Sequence, residues 1–132
     1  MKLIAQHSDG ISTHLLQWTL IAEDGTGTVN AYWYVGASRK NTTFQTTFAN
    51  ARIAQVAELI RGLNSRYHGT TDDAPDYRLE VSTESEHLQT HVYGTLEWDG
   101  DVKSDLERFR KAWAPIAAEI ELTLALPGRT CQ

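Results

Sequence analysis

The sequence predicts an α+β fold, in which a mostly antiparallel sheet of about six or seven strands carries two amphipathic helices on one face. Three observations predict it. Apolar and polar residues alternate with period two through most of the first 48 residues, and again from Tyr77 to Trp98. Two runs change to helical spacing: Ile53, Val56, Ala57, Ile60 and Leu63, and then Val102, Leu106, Phe109, Trp113 and Ile116. The chain has 132 residues, the length of one domain, so residues 1–132 are expected to fold as a unit.

Each element follows from its own pattern. Leu3 to Gln6 makes a short first strand, stopped by Ser8-Asp9-Gly10. Thr13 to Ala22 is a second strand, with Leu16, Trp18 and Leu20 alternating with Gln17 and Thr19. Glu23 to Gly27 contains Asp-Gly, a pair that readily supplies positive φ, and is a turn. Thr28 to Val35 returns, with Val29, Ala31, Trp33 and Val35 on one side and Thr28, Asn30, Tyr32 and Tyr34 on the other. Gly36 to Asn41 is a loop, and Thr42 to Phe48 a further strand.

Asn50 is an N-cap for a helix from about Ala51 to Arg66. His68 to Pro75 is a polar loop. Tyr77 to Val81 and Leu88 to Trp98 form a hairpin turned at Thr83-Glu84-Ser85-Glu86. Asp101 caps a second helix that Pro115 ends or kinks. Ile120, Leu122, Leu124 and Leu126 then alternate with Glu119, Glu121 and Thr123, which reads as a last strand, with a continuing helix as the alternative. Two helices cover one sheet face, and the Thr, Tyr and Gln side chains of the other meet water or a partner.

Charge separates the function classes. Seventeen acids against 12 bases give a net charge of −5, which argues against nucleic acid as a partner. Asp72 to Asp105 holds ten acids and two bases, whereas Gly36 to Arg66 is basic through Arg39, Lys40, Arg52, Arg61 and Arg66. A polarised surface suits steered encounter with a charged protein. The only cysteine, Cys131, excludes an intramolecular disulfide. The apolar start, Leu3-Ile4-Ala5, is too short for a secretory signal, and no run suits a membrane span, so the expected location is the cytoplasm, with no membrane partner.

No motif carries a cofactor or a metal. His87 and His91 have the i, i+4 spacing of a zinc helix, but on a strand they stand about 13 Å apart, too far for one ion. His7, His14 and His68 sit beside no nucleophile motif. Asp99-Gly100-Asp101 lacks the spacing of a calcium loop. Trp18, Trp33, Trp98 and Trp113 fall on apolar faces and belong to the core. Tyr32 and Tyr34 lie opposite Trp33, where tyrosine supplies contact area at small entropic cost.

The expected function is a non-enzymatic protein-binding module whose acidic face engages a basic protein. The expected contact residues are Asp72, Asp73, Asp76, Glu84, Glu86 and Asp99, with Tyr32, Tyr34 and Tyr93. In size, acidity and mixed organisation the chain is similar to many bacterial immunity proteins, which bind and block a toxin. Two alternatives are a homo-oligomeric structural or phage component that pairs through the tyrosine face, for instance as a homodimer, and a small enzyme with a dispersed site drawn from His14, His91, Glu84 and Glu86.

Overall fold

Alternation becomes strand through most of the chain. In the computed structural model, which describes residues 1–9, 16–68, 75–94 and 100–125, four strands follow one another: β1 (Lys2–Ser8), β2 (Leu16–Glu23), β3 (Thr26–Val35) and β4 (Ser38–Thr47). Helix α1 (Asn50–Ile60) comes next, then β5 (Arg66–His68), β6 (Asp76–Ser82) and β7 (His87–Tyr93). A 3-10 turn over Gly100–Val102 leads into helix α2 (Lys103–Ala125).

All seven strands form one sheet in the order β4-β3-β2-β1-β6-β7-β5. Every pairing is antiparallel except β5 with β7. The β2–β3 turn is Asp24-Gly25, with both residues at positive φ, 56° and 84°. That is the geometry a two-residue hairpin requires, and the Asp-Gly pair announced it. Helix α1 carries the chain from the β4 edge to the β5 edge.

Register places the core on one face. Leu3 and Ala5 stand opposite Ala22 and Leu20 on one side, and opposite Val81 and Leu79 on the other. Their row neighbours Val29, Ala31 and Trp33 continue the same face along β3. All of these are buried, in one cluster with Ile53, Val56 and Ile60 of α1 and Leu106, Phe109 and Trp113 of α2. Trp113 stacks on Trp18 with ring centroids 5.2 Å apart. None of the described residues on the opposite face is buried.

The chain departs from its sequence expectations at several places, among them Asp101, which lies within the 3-10 turn ahead of α2 and not at its cap. The largest concerns residues 118–125, expected as strand. Helix α2 runs through Pro115 to Ala125. Pro115 is exposed, while Ile116, Ala117, Ile120 and Leu124 continue the buried stripe. Ile120 and Leu124 fit the helical period as well as the strand period, and Leu122, the residue that spoke for alternation, is 69% exposed. Helix α1 stops at Ile60 rather than Arg66, because Gly62 takes φ +86°. That frees Arg66–His68 to form β5, where the end of the helix and the start of a loop were expected. Ser38–Asn41, also expected as loop, is strand, because a two-residue Gly36-Ala37 turn closes the β3–β4 hairpin early. Asn50 is the first residue of α1 and not its cap; the capping position is Ala49, and no side chain caps the helix. Trp98, Leu126, Cys131 and the segments 10–15, 69–74 and 95–99 lie outside the described residues.

Candidate binding face

The other face, which no described helix covers, is ordered in rows, because cross-strand partners point the same way. In one row Tyr32 of β3 partners Asn41 of β4 and Gln17 of β2. Gln17 faces Ser8, Ser8 faces Asp76, Asp76 faces Tyr93, and Tyr93 faces His68 on the far edge. The next row runs parallel: Thr43, Asn30, Thr19 and Gln6, then Arg78, His91 and Arg66. Over β4 to β6 the face is concave. It holds a cavity of about 520 Å³ lined by both rows, within the size range of ligand sites. A smaller hollow of about 340 Å³ adjoins it, lined by Ser65, Arg66, Arg78, Gln89 and His91.

The polar groups hold one another in place. Thr43 Oγ1 donates to Asn30 Oδ1 at 2.8 Å. The Arg39 guanidinium lies 4.0 Å from the centre of the Tyr32 ring, and Tyr34 meets Tyr32 edge-on at 6.4 Å. Tyr93 stacks on His68 at 5.0 Å. His91 Nε2 donates to Asp76. Among the described residues Arg39, Arg66 and Arg78 make no ion pair. The face is therefore amide- and hydroxyl-rich, with one guanidinium, Arg39, at its β4 edge and two, Arg78 and Arg66, toward its β5 edge, on a chain of net charge −5.

The structure divides the expected contact residues. Tyr32, Asp76 and Tyr93 share one row, and Tyr34 lies on the same face beside it. Glu84 and Glu86 are at the β6–β7 turn, at the opposite end of those strands. Glu86 accepts from Arg61, which also donates to Glu58 at 2.6 Å. Those hydrogen bonds from Arg61 hold the Glu86 carboxyl below the usual range. Glu80 accepts from His87 at 2.8 Å, and Asp105 accepts from the Tyr67 hydroxyl at 2.8 Å. Asp72, Asp73, Asp99 and His14 lie outside the described residues.

Among the described residues named for a dispersed catalytic site, His91 does not meet the hairpin acids Glu84 and Glu86. His91 and Glu86 are separated by five residues of extended chain, about 16 Å, and the carboxylate beside His91 is Asp76. His87 and His91 occupy a strand and engage separate carboxylates. Among the described residues no three His, Cys, Asp or Glu side chains gather as a metal site, and no helix is long and apolar enough to cross a membrane.

Sequence reasoning missed Arg39, Arg66 and Arg78 as members of this face. The alternation of Tyr77 and Leu79 around Arg78 did show its side of the strand. Which strands adjoin was not legible, because β1 pairs with β6 across nearly 70 residues of chain. His7 was also passed over. It sits among Trp18, Tyr77 and Trp113, donates through Nε2 to Asp9 at 2.8 Å, and has Nδ1 3.2 Å from the Asp76 carbonyl. Asp9 in turn accepts from the Leu16 amide, so this imidazole fastens the ends of β1, β2 and β6 beside the face. No protein-family model matches the chain, and a search of the curated proteins finds no relative of it.

Proposed function

We propose that this is a non-enzymatic binding module that receives a protein partner on its open sheet face. The observation that carries the reading is the uncovered, concave, polar face with three tyrosines on it. Seven strands about 4.8 Å apart and about seven residues long give a face of roughly 29 by 23 Å, or about 650 Å². That approaches the about 800 Å² each partner contributes to a standard interface, and it exceeds what a small ligand covers. Tyrosine and arginine are the side chains that interfaces enrich.

An immunity-type inhibitor occupying a basic toxin is the specific form of this reading that the acidic 72–105 segment suggests. Most of its described acids are already engaged within the chain: Asp76 with His91, Glu80 with His87, Glu86 with Arg61 and Asp105 with Tyr67. The sheet face therefore carries the proposal, with the hairpin acids at its far end.

Thr19 is half-buried near the centre of the face, where an arginine obstructs docking and leaves the core untouched. Wild type, Thr19→Arg and the double reversal Glu84→Lys/Glu86→Lys are compared as bait for interacting proteins, and each is sedimented alone. A partner lost only by Thr19→Arg is the expected result. A partner lost only by the hairpin reversal moves the contact to the acidic turn and overturns the face. A self-associated species dissolved by Thr19→Arg makes the occupant a second copy, and the separate partner is then wrong.

A further inference from the structure

Arg78, His91 and Arg66 stand directly opposite one another on three adjacent strands, β6, β7 and β5. His91 stands between the two arginines, and all three line one surface hollow. Among the described residues one acid adjoins the trio, Asp76, held by His91 Nε2. Glu80, two residues along β6 from Arg78, is engaged by His87. The hollow of about 340 Å³ above the trio is completed by Ser65 and Gln89, a hydroxyl and an amide. Both arginines line that hollow together with the hydroxyl, the amide and the imidazole, and among the described residues Asp76 is the carboxylate beside them.

We propose that this row is an oxyanion anchor that takes a phosphoryl group borne by the partner on this face. A guanidinium fork matches phosphate or carboxylate oxygens in pairs. A phosphate monoester carries a charge of about −1.5 to −2 at neutral pH and presents three strong acceptor oxygens, enough to engage both guanidinium forks at once. The inference rests on the open face being the binding surface. The anion is measured on the isolated protein, so it succeeds or fails without the partner.

The measurement is an amide NMR titration with inorganic phosphate, with N-acetyl-phosphoserine amide and with acetate. Phosphate and the phosphoserine derivative are expected to shift Arg66, Arg78, Gln89 and His91 together. Acetate should bind more weakly by about fivefold or more, since it brings half the charge. Arg78→Gln and Arg66→Gln should each weaken phosphate by about fivefold or more, the usual scale for losing a charge-assisted contact at a partly exposed site. Asp76→Asn removes the competing carboxylate and should tighten it. Absence of shifts at these residues, or shifts that survive Arg78→Gln unchanged, would overturn the anchor. Inorganic phosphate binding more tightly than the phosphoserine derivative would make the ligand a free anion and overturn the partner-borne source.

Discussion

One hydroxyl joins three parts of the molecule. Tyr67 Oη accepts the Asn64 amide at 2.9 Å and donates to Asp105 at 2.8 Å, which ties the end of α1, strand β5 and the start of α2. The ring is 4% exposed. Tyr67→Phe keeps the ring's packing and removes a hydrogen bond from an exposed amide and one to a partly buried carboxylate, so it should cost about 1 kcal/mol in urea unfolding. Burial raises the Tyr67 phenol above its ordinary value. Burial does the same for Tyr77, reinforced by the charges of Asp9 and Glu121. The native state therefore keeps both phenols protonated after those of the unfolded chain, near pH 10, have begun to ionise. Their contribution is complete below about pH 10 and is lost as pH rises through the native values. Ultraviolet titration should show these two of the five tyrosines ionising late, and Tyr67→Phe should flatten the alkaline loss of stability. An alkaline limb unaltered in Tyr67→Phe would contradict that account.

At the scale of elements, α2 shows packing overriding local chemistry. Proline inside a helix removes one backbone bond and crowds the preceding turn, at about 3 kcal/mol relative to alanine. The helix continues because its apolar stripe, Phe109-Trp113-Ile116-Ile120-Leu124, is buried in the core cluster on both sides of the proline. Pro115 is exposed and packs little. Pro115→Ala should therefore raise the midpoint of denaturation by about 1–3 kcal/mol, reduced by the greater freedom the unfolded chain regains. A neutral or destabilising result would mean that the proline shapes the helix to fit the sheet. The pattern here was ambiguous in sequence because four residues cover both one helical turn and two strand repeats, so Ile120 and Leu124 satisfy either. The Asp24-Gly25 turn was legible because only backbone sterics decide it. Strand β5 was not, because three polar-flanked residues gain their strand only from the β7 edge.

The whole molecule separates a dry face from a wet one, and substitutions test that division. Phe109 is 0% exposed among the sheet and helix side chains, and Phe109→Ala should cost about 3–5 kcal/mol. Tyr34, half-buried on the open face, should cost markedly less when cut to alanine. Equal losses in urea melts would mean that something covers both faces. This division was visible in the sequence, since parity within each strand separates Trp33 from Tyr34. The binding rows were not, since they depend on β1 lying between β2 and β6, an adjacency no local pattern encodes.

The central position of β1 also bears on the order in which the sheet can be made. Its bonds to β2 close over a short stretch of chain, but those to β6 wait for residues 76–82. Long-range pairing of this kind is slow, because the loop entropy is lost before the contacts form. Until β6 arrives, the first four strands form a meander with two raw edges, β4 on one side and β1 on the other. The exposed β1 edge, with Leu3 and Ala5 facing an unfinished core, is a template for the wrong chain. On the ribosome that interval lasts for some 30 residues of synthesis after β4, about 2–6 s at roughly 5–20 residues per second. The strand that ends as the best protected in the sheet is thus the one left unguarded during birth. Crowded expression and early chain termination are the conditions under which this protein would aggregate.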